Sequence, residues 1–231
     1  MIWASSQPLM DNRHAGPGFL VEPGFVFMAK IFFLVDGFNL YHALDYQAIY
    51  RKYKWISLTK LCGCYVTDRR DCISGIEYFT ALATWDPGKL ARHNIFIKAQ
   101  ENEGVKIFYG QFKSRDHRCK VCGATFKKFE EKETDVNIAL RLFQLAVQDR
   151  YDKAIIVSGD TDLLPAIKAV RTTFPAKEVG VVIPIGRASE DLKKHTDFHY
   201  RMKEKHLSSC RYSDTITLAD GSTLACPPNW K

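Results

Sequence analysis

The segment Lys30-Ile31-Phe32-Phe33-Leu34-Val35-Asp36-Gly37-Phe38-Asn39 decides the fold. Ile31 to Val35 is a continuous apolar run with no alternation, the pattern of a strand covered on both faces. Such strands belong to parallel sheets held between helical layers. Ligands of these sheets bind at the carboxyl ends of the strands. Asp36 follows the run at once, so it stands at the functional edge.

Outward from this strand, β-rich runs alternate with helical patterns. A helix is expected near Leu40 to Ala48 and a strand over Ile76 to Ala83. Pro87 opens a helix towards Asn102, and Gly104 ends it. A third strand is expected over Val105 to Phe112. Thr134 is expected to cap a long helix to about Gln148, with Val136, Ala139, Leu140, Phe143 and Val147 on its apolar face. Strands at Ala154 to Val157 and Val179 to Ile183 follow, separated by a helix over Leu163 to Thr172. A short helix at Ser189 to His195 and a strand at Phe198 to Arg201 complete the series. The fold class is therefore α/β, a parallel-centred sheet with helices on both faces. Residues 28–205 form this domain, interrupted by a small basic insert at 113–132. Residues 206–231 form a tail whose Asp220-Gly221 signals a β-hairpin.

Residues 1–27 contain Pro8, Gly16, Pro17, Gly18, Pro23 and Gly24, without a basic start leading into an apolar block. They read as a flexible extension and not as a secretory signal. No apolar run approaches the roughly 20 residues of a membrane span. Seven cysteines, an odd number, point to a reducing cytoplasm. The net charge of +7 favours a polyanionic partner.

Carboxylates recur at the expected carboxyl edge. Asp36 follows the first strand. Ser158-Gly159-Asp160-Thr161-Asp162 follows the strand at Ala154 to Val157. Glu133 and Asp135 stand at the entrance of the long helix. Acids gathered at one edge repel each other, and a divalent cation relieves the repulsion. Hard oxygen ligands suit Mg²⁺ or Mn²⁺. Each acid taken alone also fits a turn or a helix cap. Ser158 and Thr161 are placed to support the acids by hydrogen bonds, or to bond locally in the turn.

Asp36-Gly37-Phe38-Asn39, Glu133-Thr134-Asp135-Val136-Asn137 and Ser158-Gly159-Asp160-Thr161-Asp162 resemble the three signature segments of NYN domains, the PIN-like nucleases, and within them the bacterial LabA-like branch. The resemblance covers about Lys30 to Arg201. It implies a PIN-like fold and a metal-dependent ribonuclease that cleaves RNA phosphodiester bonds with a metal-activated water. By position, Asp36, Asp135 and Asp160 match the core metal-binding acids, and Asp162 the fourth. Asn39 matches the polar residue that completes the first motif, and Glu133 is a supporting acid. Leu163 stands where many members carry an aromatic residue. Two other functions accompany this one. The first is a non-catalytic RNA-binding or regulatory protein. The second is an NADH-dependent hydroxylase of a pyridine ring, as some bacterial relatives are described; no Gly-x-Gly-x-x-Gly follows a strand here.

The insert holds Cys119-x-x-Cys122-Gly123, half of a zinc-knuckle pattern. Zn²⁺ there needs further ligands, from nearby His117, from Cys62, Cys64, Cys72 or His93, or from a second chain in a homodimer. Lys113, Arg115, Arg118, Lys120, Lys127 and Lys128 make the insert basic and are expected to contact RNA phosphates. Phe112, Phe126 and Phe129 are candidates for stacking on bases. Cys210 and Cys226 read as packing residues.

Overall fold

A computed structural model describes residues 28–231. The expected extension at 1–27 lies outside the described residues. The chain runs β1 (Lys30–Asp36), α1 (Gly37–Asp45), α2 (Leu58–Gly63), β2 (Cys72–Thr80), α3 (Pro87–Asn102), β3 (Lys106–Tyr109), β4 (Gln111–Arg118), β5 (Thr125–Lys132), α4 (Thr134–Val147), β6 (Lys153–Val157), α5 (Leu164–Thr173), β7 (Glu178–Ile183), α6 (Glu190–His195), β8 (Phe198–Arg201), α7 (Glu204–Cys210), β9 (Thr215–Thr217) and β10 (Thr223–Ala225). Six strands form one sheet in the order β3-β2-β1-β6-β7-β8, and every neighbouring pair is parallel.

β1 lies at the centre and feeds both layers. Ile31, Phe33 and Val35 enter one core with α1, α2, α3, α7 and the C-terminal Trp230. Phe32 and Leu34 enter the other with α4, α5 and α6. This alternation is the pleat of a strand buried on both faces. The helices cover both faces of the sheet, as the β1 segment predicts. Among the described residues no helix is long and apolar enough to cross a membrane.

The structure corrects three expectations. The strand expected from Val105 to Phe112 breaks at Gly110. Its N–H donates to the Thr80 carbonyl at 2.8 Å, and a Cβ there would meet the Lys132 carbonyl at 2.8 Å. Only glycine lets β3 stop and β4 leave the sheet so tightly. Phe112 therefore belongs to the antiparallel β4–β5 hairpin.

The apolar face of α4 is also turned from the expected one, although Phe143 still packs against the core and Ala139 is half-buried. Val136, Leu140 and Val147 are exposed, while Ile138, Leu142, Leu145 and Ala146 are buried. Asp135 shares a helical face with Ile138, Leu142 and Leu145. Turning that acid to the sheet edge carries these residues into the core. Lastly, Thr134 lies inside the helix and does not cap it. Glu131 accepts from the Thr134 N–H at 3.0 Å and from its hydroxyl.

The tail is clasped to the domain. Its hairpin pairs β9 with β10, as expected. The Ser57 N–H donates to the Cys210 carbonyl at 3.0 Å, and the Trp55 indole to the Ser213 carbonyl at 2.8 Å. Cys210 and Cys226 are buried packing residues. All seven cysteines are free.

Candidate functional site

The register places the acids side by side. Val35 of β1 is opposite Val157 of β6, so Asp36 and Ser158, the next residue of each strand, are neighbours. The Ser158 hydroxyl donates to Asp36 Oδ2 at 2.8 Å and accepts the Asp160 N–H at 3.1 Å. Asp36 also caps α1, its Oδ1 accepting the Asn39 N–H at 2.9 Å. Asn39 returns across the edge, its Oδ1 accepting the Gly159 N–H at 3.0 Å. Asp160 Oδ1 accepts the Asp162 N–H at 2.9 Å and opens a single 3₁₀ turn over Thr161–Leu163. Thr161 and Asp162 are exposed, whereas Leu163 points into the core.

Electrostatics join these residues to α4. Asp36 is 3% exposed. Burial pushes its carboxyl up to about 6, and the charges of Asp135 and Asp160 push the same way against the bonds from Asn39 and Ser158. Asp135, half-buried in the first turn of α4, is raised by burial and then by Asp160, Glu131 and Asp162. Four acids expected from the sequence therefore feel one another at one edge. Glu131 is a further one that sequence reasoning missed. Its signal was present, an acid three residues ahead of the first helical residue. Glu133 stands apart from this exchange. It is exposed, holds a left-handed φ of 81°, and accepts from the Gln111 amide.

All donors at the edge are oxygens, and their charges are mutually destabilising. That chemistry fits a hard divalent cation. Among the described residues no three His, Cys, Asp or Glu side chains are gathered tightly enough to ligate one ion as they stand.

The hairpin sorts the other candidates by strand alternation. Lys113, Arg115 and Lys128 share one face, with Arg115 opposite Lys128, while Arg118 and Lys127 fall on the other. Lys120 lies in the turn, and all six side chains are exposed. Phe126 is half-exposed beside His117, their rings 5.1 Å apart. Phe112 and Phe129 instead pack against Trp85, a residue the sequence did not single out.

The turn holds Cys119 and Cys122. The Cys119 N–H donates to the Ala124 carbonyl at 2.8 Å, and Gly123 takes the left-handed φ of 74° that the turn demands. Backbone N–H groups of Cys122 and Val121, then the Cys122 thiol, pull the Cys119 thiol below its usual range. The distant cysteines are elsewhere. Cys62 is in the core, and Cys64 pairs with Cys210 at 3.5 Å between sulfurs. His93 is bonded to Thr80 at 3.2 Å.

The chain is 24% identical to 6-hydroxy-3-succinoylpyridine 3-monooxygenase HspA of Pseudomonas putida, over 76% of this chain and 66% of that protein. It thus spans a little under two thirds of that relative's length. A crystal structure of a protein of unknown function, VPA0982 from Vibrio parahaemolyticus, matches with a TM-score of 0.50 at 22% identity, covering 77% of this chain and 94% of that one. That likeness supports the fold alone. The family model for the NYN domain matches residues 30–203, which contain all six strands of the sheet and Asp36, Asp135, Asp160 and Asp162; the chain belongs to the NYN domain family.

Proposed function

We propose that the chain is a cytoplasmic ribonuclease dependent on Mg²⁺ or Mn²⁺, of the LabA-like kind. NYN and other PIN-like domains are generally nucleases, and that likeness gives the reaction class. The observation that carries the proposal is the burial of the Asp36 carboxyl at the end of β1, linked through the Ser158 hydroxyl to the Asp160 backbone at the edge where Asp135 also stands. Asp36, Asp135 and Asp160 would hold the ion, with Asp162 completing the set; Glu133, turned away towards Gln111, is left outside it, and the charge of Glu131 acts on Asp135 in its place. When bound, the ion supplies Lewis acidity and a strong nucleophile at neutral pH.

The chain's own residues do the rest. Ser158 and Asn39 fix the Asp36 carboxylate by hydrogen bonds from both sides of the edge. Thr161 is placed in the turn between the two acids of the third motif. The exposed cations of the hairpin contact phosphates, positioning a strand without reading its sequence. Zn²⁺ at Cys119 and Cys122 would require two more donors, which the same pair from a second chain in a homodimer supplies.

The test is a degradation assay on mixed RNAs with and without Mn²⁺, with Asp160→Asn as the control. Cleavage that survives excess chelator, or an Asp160→Asn rate equal to that of the wild type, overturns the proposal.

A second reading, hydroxylation of a pyridine ring, draws its support from the name of the Pseudomonas relative. NADH turnover by the pure protein on a hydroxypyridine would establish it. RNA binding without cleavage would establish the third, a regulatory RNA-binding role.

A further inference from the structure

A cavity of about 420 Å³ opens at the carboxyl end of β2, with Thr80 and Ala81 in its floor and Gly37, the residue after Asp36, in its wall. It therefore shares the functional edge of the sheet with the acids. Its outer wall is aromatic. Trp85, from the loop after β2, lies flat on Phe129 of the hairpin, with ring centroids 3.8 Å apart and planes within 4°. Phe112 meets Trp85 edge-on at 4.5 Å and Phe38 of α1 edge-on at 5.4 Å. The hairpin is held over the cavity by these rings.

The inner wall carries polar groups among its apolar ones: His42 and the Lys54–Asp45 ion pair, 2.5 Å apart, line the α1 side. His93 and Thr80 are bonded to each other at 3.2 Å. Burial holds the His93 ring down at about 4, so it is neutral at physiological pH and able to both donate and accept. Lys89 and Arg92, from the first turns of α3, add positive charge. Flat apolar walls, a neutral donor–acceptor pair and nearby cations match a planar nitrogen heterocycle carrying an anionic group. The volume falls in the usual range for small-molecule sites, on the order of 300–1,000 Å³. Aromatic walls are also the usual device for holding bases of single strands.

We propose that this cavity receives one unstacked base of a single-stranded RNA, its adjoining phosphate taken by Lys89 and Arg92, beside the acid edge. The choice of RNA rests on the ribonuclease reading, whereas the preference for a flat heterocycle rests on the cavity itself.

The test is equilibrium dialysis of the full chain against a short oligouridylate in excess EDTA, which removes cleavage from the measurement. The wild type should bind saturably. Trp85→Ala should weaken binding about tenfold or more, and Trp85→Phe should retain most of it. Crosslinking of 4-thiouridine RNA to the wild type should label the peptides that carry Trp85, Phe112 or Phe129, an arm that needs no variant to fold. Equal binding by Trp85→Ala, or crosslinks confined to other peptides, overturns the proposal. So does Trp85-dependent binding of nicotinate without binding of oligouridylate, which assigns the cavity to a free heterocyclic acid. Trp85-dependent RNA binding by a protein that never cleaves supports the cavity and overturns only the nuclease reading.

Discussion

The acid edge and the β4–β5 hairpin are both polar, and both carry charges that drew notice in the sequence. They are built in opposite ways. At the edge, Asp36 and Ser158 are buried, and Asn39 and Asp160 share hydrogen bonds running between β1, α1 and β6. On the hairpin, Lys113, Arg115, Lys127 and Lys128 stand in solvent, and what ties the ribbon down is the contact of Phe112 and Phe129 with Trp85. Burial with full bonding holds a geometry, while solvated charge sets a field. The difference predicts that edge substitutions act on the fold or on chemistry, and hairpin substitutions on binding.

The largest effect should come from behind the edge. Arg141 of α4 makes a bidentate pair with Glu77 of β2 at 2.8–3.0 Å, and Glu77 is 2% exposed. Arg141→Ala leaves that carboxylate buried and alone, and should cost about 3 kcal/mol or more in denaturant unfolding. A loss below about 1 kcal/mol would show that α4, and with it Asp135, is held by its apolar face alone.

Next comes Asp160→Asn, which keeps the side chain's shape. RNA cleavage should fall on the order of 10²-fold or more. In chelator its melting temperature should match or exceed that of the wild type, because one source of repulsion on Asp36 and Asp135 is gone. A clearly lower melting temperature would make Asp160 a structural cap and erase the distinction between edge and cap.

A smaller change is expected on the hairpin. Arg115→Ala with Lys128→Ala should weaken RNA binding several-fold and flatten its salt dependence, with unfolding within about 0.5 kcal/mol of the wild type. Binding that keeps the full salt slope would move the phosphate contacts off this face.

Least of all should be felt when Cys119 and Cys122 are both changed to Ser in metal-free protein, where melting should not move. If the pair holds zinc between two chains, elemental analysis should find about half a zinc per chain in the wild type and none in the variant. A wild type free of zinc would leave the pair as ordinary thiols.

The same contrast explains what was legible in the sequence. β1 could be read because five apolar residues in a row have few other uses, and Asp36 came with it. The order of the acids along the chain was a local signal, visible without knowing their neighbours. The face of α4 was not visible locally. Val136, Leu140 and Val147 make as good a stripe as Ile138, Leu142 and Leu145, and only the need to aim Asp135 at the sheet decides between them. Gly110 looked like one glycine among others until Lys132 came to lie against it. Trp85 was silent because its partners, Phe112 and Phe129, are more than 25 residues away in sequence. The tail looked separable in composition, yet Trp55 and Ser57 take bonds with its residues far along the chain.

The bonds of Ser158 settle the fate of a single proton. A serine hydroxyl has one hydrogen to give, and this one goes to Asp36, while its oxygen receives the N–H of Asp160. The hydroxyl gives once and accepts once, and its hydrogen faces a carboxylate already bonded to the Asn39 N–H. An ester formed on Ser158 would have to surrender the bond to Asp36 and leave that buried carboxylate short of a donor. In this arrangement the hydroxyl nearest the acids ties the end of β1 to the turn after β6, so its replacement by alanine would loosen both at once.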